Sequence, residues 1–275
     1  MSSLKKQFYF LHIPKTAGTT FALLLARLYR RQKKISFYPV KNRQSLKPYT
    51  SEQMNGYDLF YGHYPFDANL KPERGIEYFT FLREPRELML SAYKFLKGGN
   101  HPIKKIKGKN YSLNDFLTQG ILKNFDNVMV RFLSGNLGKG YLEITEADMQ
   151  TAIKNFDAHF HIFGLTEYFD ESLVLLSDYM NWEPLFYARE NKSAYTIDPK
   201  ELDEATEKLI VQCTRFDEIV YKHAQERFLK MLSEKRQIVD AGLIELKKGN
   251  EKRKSLLLLR NKASLLISGI KQKLS

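Results

Sequence analysis

The stretch Gln7-Phe8-Tyr9-Phe10-Leu11-His12-Ile13-Pro14-Lys15-Thr16-Ala17-Gly18-Thr19-Thr20 constrains this chain more than any other. Residues 7–12 are an apolar run of strand length, and 17–31 has the length and apolar spacing of a helix, so the segment between joins a strand end to a helix start. Such a junction gathers backbone N–H groups and the positive end of a helix around one point, which makes it a seat for an anion. Gly18 and Ala17 keep side chains clear of it, Thr16, Thr19 and Thr20 add hydroxyls, and Lys15 brings a full charge on a flexible stem. A Walker-type nucleotide loop places its lysine directly after the last glycine; here Lys15 precedes Gly18 by three positions.

A second junction of the same kind follows at Phe79-Thr80-Phe81-Leu82-Arg83-Glu84-Pro85-Arg86. The apolar run 77–82 predicts a strand, Pro85 opens a helix to about 96, and Ser91 falls two turns into it. Arg83 at the strand end and Ser91 on the helix suit a second phosphate group. Further strands are expected at 35–38, 58–61 and 161–164, and helices at 112–119, 124–133, 145–156 and 167–179, with a long closing helix over 199–232. This alternation predicts an α/β fold: a P-loop-like three-layer arrangement with a central, mostly parallel sheet flanked by helices. Both anion sites then lie at strand C-terminal edges, where ligands of such sheets bind.

Charge divides the chain. Residues 235–275 hold 11 Lys or Arg against 3 Asp or Glu, which is +8 of the total +13. The reading is a domain over 1–234 and a basic, amphipathic helical tail over 235–275, in which the charged stretch 248–254 breaks 238–248 from 256–274. The tail either lies on a membrane or a partner as a peripheral contact or packs back on its own domain. The body of the chain has no basic helix and no aromatic-interleaved basic stripe, which argues against nucleic acid as a partner. Segment 98–110, with three glycines and five lysines or histidines, reads as a mobile basic loop.

The single cysteine, Cys213, is expected to be a buried helix thiol, and no Cys/His cluster has metal-ligand spacing. The N-terminus has no signal-peptide core, and no apolar run approaches the roughly 20 residues that span a bilayer. A reducing, cytoplasmic setting is expected.

Taken together, 12–20 resembles the 5'-phosphosulfate loop, and 83–91 the 3'-phosphate motif, of sulfotransferases that use 3'-phosphoadenylyl sulfate (PAPS). The similarity extends to the carbohydrate sulfotransferases of the Golgi type, including the heparan sulfate 2-O-sulfotransferase group and bacterial relatives. It spans about 7–232 through the stretches Phe60-Tyr61-Gly62-His63, Asn127 to Gly135, Phe163 to Glu167 and Glu190-Asn191-Lys192-Ser193. The resemblance implies that Lys15 meets the bridging oxygen of the phosphosulfate. It implies likewise that the backbone of Thr16, Ala17, Gly18, Thr19 and Thr20 cradles the 5'-phosphate, that Arg83 and Ser91 hold the 3'-phosphate, and that PAP is the product with no metal required.

Transfer to an alcohol needs a group that takes the hydroxyl proton, and histidine titrates in the right range. Among six histidines, His63 stands at a strand end after Leu59-Phe60-Tyr61-Gly62, and the resemblance makes it the base. Relatives of that group carry a second histidine two positions earlier, where this chain has Tyr61; His12 is assigned to holding the loop. Tyr64, Phe66 and the 98–110 loop suit a saccharide acceptor, since sugars stack on rings. The competing readings are a P-loop kinase, which would need a Walker lysine and a strand-end Asp for magnesium, and a non-catalytic nucleotide- or glycan-binding module.

Overall fold

The computed structural model describes residues 7–37, 50–98, 111–121, 125–188 and 197–274. Four parallel strands form the main sheet: β1 (Gln7–Leu11), β2 (Lys34–Phe37), β3 (Leu59–Gly62) and β4 (Ile76–Phe79), in the order β2-β3-β1-β4. Every residue of β1 is buried, as a strand covered on both faces by helices requires. Its one polar residue, Gln7, donates to the carbonyls of Met54 and Tyr57 at 2.6 Å each.

The expected strand over 77–82 is two strands. After β4 the chain turns at Thr80, and β5 (Phe81–Leu82) leaves β1 to pair with β6 (Gly164–Leu165) in a second parallel pair. Thr80 effects the change. Its hydroxyl donates to the Leu11 carbonyl at 2.8 Å, and its own carbonyl accepts from Gly164 N at 2.9 Å. A residue bonded to β1 on one side and β6 on the other cannot lie in one straight ladder.

Helices flank these strands: α1 (Gly18–Leu28), α2 (Ser51–Met54), α3 (Pro85–Gly98), α4 (Leu113–Thr118), α5 (Val128–Ser134), α6 (Glu146–His159), α7 (Phe169–Met180), α8 (Glu204–Glu234) and α9 (Arg236–Leu274). Their starts follow local chemistry. Thr50, Ser112 and Thr145 close capping boxes at α2, α4 and α6, and Asp203 accepts from Thr206 N at α8, so the helix expected from 199 begins after a short 3-10 turn. One core packs around the main sheet; a second, of Met89, Tyr93, Leu113, Phe116, Ile210 and Cys213 among others, joins α3, α4 and α8. Cys213 is buried there, as expected.

The stretch 248–254 does not break the tail: α9 runs unbroken through it. Lysine, glutamate and arginine are good helix formers, and the roughly 1 kcal/mol that a glycine costs in a helix is offset by docking. Phe186 packs so closely on Gly249 that a Cβ there would come within 1.9 Å of its ring. Asn250 accepts from Tyr187 N at 2.8 Å, and Arg253 lies 4.1 Å over the Phe186 ring. Val239, Leu246 and Leu257 are buried, so at least this part of the helix packs on its own chain. Among the described residues, no helix is long and apolar enough to cross a membrane. The basic segment 99–110 and the stretch 190–193, including Lys192 and Ser193, lie outside the described residues.

Candidate active site

Strand register explains how two histidines far apart in sequence meet. β1 and β3 pair in parallel with Leu11 opposite Gly62, so the next residues, His12 and His63, leave the sheet side by side at its C-terminal edge. Their rings lie 4.5 Å apart. Gly62 allows this approach: its φ is +140°, and a Cβ would strike the Phe37 backbone at 2.7 Å.

His63 is half-buried, and its Nδ1 lies 2.8 Å from the His12 carbonyl oxygen. A carbonyl only accepts, so in the neutral ring Nδ1 carries the proton and the lone pair falls on Nε2. Burial lowers the His63 pKa from its ordinary value, against the pull of that hydrogen bond, which favours the neutral ring at pH 7. His12 is more deeply buried, and burial, His63 and Lys15 together lower its pKa further. The histidine beside the candidate base thus comes from the neighbouring strand, not from position 61, which is Tyr61.

The loop after β1 is a cradle. Lys15 and Ala17 both adopt left-handed backbone conformations, at φ 71° and 61°, and Ala17 caps α1 with no side-chain acceptor on the helix N–H groups. Alternating handedness of this kind turns successive N–H groups inward, and an uncapped helix start adds its own. Holding non-glycine residues in that region costs about 1–3 kcal/mol each, a strain found where function requires it. The His12 ring fills the space under Gly18, where a Cβ would fall 1.8 Å from His12 Nε2. Thr16 departs from expectation in one respect: it is fully buried and its hydroxyl donates to the Ile13 carbonyl at 2.7 Å, so only its backbone can serve the cradle. Thr19 is exposed and Thr20 half-buried.

Arg83 leaves the end of β5 and donates through Nη1 to the Lys15 carbonyl at 3.1 Å; its Nη2 lies 3.8 Å from Glu87. The structure thereby forms two hydrogen-bonded pairs, His63 with His12 and Arg83 with Lys15, linked by the Lys15 charge that acts on His12. Ser91 sits half-buried on α3, the helix that Arg83 precedes. Burial first, and the Arg83 charge second, push the Lys15 pKa down to about 8. Two cations held close enough to disfavour one another fit a phosphate-bearing ligand, whose charge would relieve the repulsion. An open cavity of about 550 Å³ beside Glu84 is a poor seat for such a ligand, because Glu84, Glu167 and Glu218 line it.

One expected contributor, and one stretch of family similarity, belong to the core instead. Phe66 is a core residue, packed on Tyr78 and Phe160, and so offers no platform to a sugar. The Asn127 to Gly135 stretch builds α5 and its anchors: Arg131 is wholly buried and bonds Asp126 and the carbonyls of Lys139 and Gly140. Phe95, which the sequence reading passed over, lies under Lys15, whose ammonium stands 4.0 Å above its ring. Among the described residues, no group of three or more His, Cys, Asp or Glu is placed to hold a metal ion.

A family model described as galactose-3-O-sulfotransferase matches residues 2–272. No curated protein sequence matches the chain.

Proposed function

The chain belongs to the galactose-3-O-sulfotransferase family, and we propose how its residues divide the work of transferring a sulfuryl group from PAPS to a saccharide hydroxyl. The match bears out the resemblance of the motifs to carbohydrate sulfotransferases. PAPS, when bound, supplies the activated sulfur: the acceptor oxygen bonds to it as the bond from sulfur to the bridging phosphate oxygen breaks, leaving PAP.

His63 Nε2 takes the acceptor proton as that bond forms. The observation that carries this reading is the 2.8 Å contact of Nδ1 with the His12 carbonyl, because it leaves the lone pair on the other nitrogen. Lys15 offsets the charge that develops on the leaving oxygen. The N–H groups of Thr16, Ala17, Gly18, Thr19 and Thr20 hold the 5'-phosphate as preorganised donors, and Arg83 with Ser91 holds the 3'-phosphate. The family match supports a galactosyl 3-hydroxyl as the acceptor to test first.

The test is His63→Ala, assayed for sulfate transfer to galactosides and for PAP binding by calorimetry. General-base catalysis is worth roughly 100- to 10,000-fold. Turnover is expected to fall by that order with PAP affinity retained; near-normal turnover would mean that another group is the base.

A further inference from the structure

We propose that Phe95 is a positioning residue for the donor site, a cation–π seat that holds the Lys15 ammonium charged and on the α3 side of the loop. The inference rests on the reading of Lys15 as a donor-site cation.

Two contacts fix Lys15 to the same helix. Arg83, just before α3, takes its backbone carbonyl, and Phe95, near the far end of α3, takes its ammonium at 4.0 Å from the ring centroid. The ammonium is therefore held against the helix that carries Ser91. Phe95 is 50 % exposed, although its α3 neighbours Leu90, Tyr93 and Leu96 are buried. The exposed face of the ring is where the Lys15 ammonium lies.

The ring attracts only the protonated amine, because its face is negative and the neutral amine has no charge to meet it. It therefore opposes the groups that discharge Lys15. Burial and Arg83 lower the lysine's pKa to about 8, close to working pH. Among the described charged or titratable groups near it, Glu87 pairs with Arg83, and burial lowers the His12 pKa, which favours the neutral ring. A modest attraction then decides how much of the lysine is charged.

The experiment compares the pH dependence of kcat/KM for PAPS in the wild type, Phe95→Leu, Phe95→Tyr and Lys15→Ala. An exposed cation–π contact corresponds to about half a pH unit. In Phe95→Leu the alkaline limb should move down by that amount, and KM for PAPS should rise a few-fold at pH 8. The acid limb, set by His63, should stay in place, and Phe95→Tyr should restore the wild-type profile. The position of a limb does not depend on how much protein is folded, so a lower Tm would not imitate the result. An unmoved alkaline limb in Phe95→Leu, with Lys15→Ala impaired, would overturn the seat alone. If Lys15→Ala binds PAP and turns over like the wild type, the donor-site reading of Lys15 fails, and the seat with it.

Discussion

Two clusters of charge sit on neighbouring elements of this molecule and are built on opposite principles. Around Arg131 every charge is answered. The guanidinium is wholly buried, reaches both oxygens of Asp126 at 2.8 Å through Nη2, and donates also to the carbonyls of residues 126, 139 and 140. Beside it, the Asp217 carboxyl accepts Met129 N and Val130 N at the start of α5, and Asn127 accepts Phe216 N. At the loop, Lys15 and Arg83 repel one another, and Lys15 rests on a ring. Buried charge that has a structural task is neutralised within the protein; charge that has a chemical task is kept where a ligand can neutralise it.

The sharpest way to break this contrast is to show that the two clusters trade roles. Arg131→Met strands a buried carboxylate and should cost about 3–5 kcal/mol of stability, read as a lower urea midpoint. PAP affinity per folded molecule should be unchanged; a stable variant that has lost PAP binding would put Arg131 in the donor site.

Lys15→Ala should do the reverse. Loss of one stabiliser of transition-state charge costs roughly 100- to 1,000-fold in turnover, and the urea midpoint should not fall. Lys15→Arg sharpens the point, since arginine stays charged up to about pH 12: whatever rate it retains should lose the alkaline limb near pH 8.

The pH dependence of stability separates the clusters again. Burial raises the Asp217 carboxyl to about 7, against its two N–H donors. The folded state thus holds this proton more tightly than the unfolded chain, so stability from this group is full below about pH 4 and is lost as pH rises through 7. The Tm should therefore decline across that window, and Asp217→Asn should flatten the decline. At the site the sign is opposite: burial lowers the His63 pKa from its ordinary value, so activity should be lost only as pH falls through that lowered pKa, and the same shift makes stability decline with acidification.

The smallest effect is expected at the tail. Asn250→Ala removes one hydrogen bond to Tyr187 N and should lower stability by about 1 kcal/mol, with kcat and KM unchanged. A change in KM there would tie the docked tail to catalysis.

Much of this was legible in the sequence, because it is local. The strand, loop and helix at 7–28 follow from an apolar run and a glycine-containing junction, and the start of α3 from Pro85; the structure adds the Glu84 carboxylate, which accepts Arg86 N and Glu87 N. Of the candidates named near strand ends, Arg83 bonds the Lys15 carbonyl, and His63 meets His12 at the start of the same loop. Phe66 misled because an aromatic residue after a strand end reads alike whether it faces a sugar or the core. The split at Thr80 was invisible, since it depends on β6, more than 80 residues on.

What the sequence by itself determined is therefore the set of local elements and the residue types that chemistry needs at their ends. Backbone propensity, capping and apolar period act over a few residues and can be read along the chain. Only the tertiary structure decided that His12 would set the tautomer of His63, that Lys15 would lie on Phe95, and that α9 would run unbroken past Gly249. Each of these rests on strand register or packing between segments remote in sequence, where the energy lies in the contact and neither partner's own stretch records it.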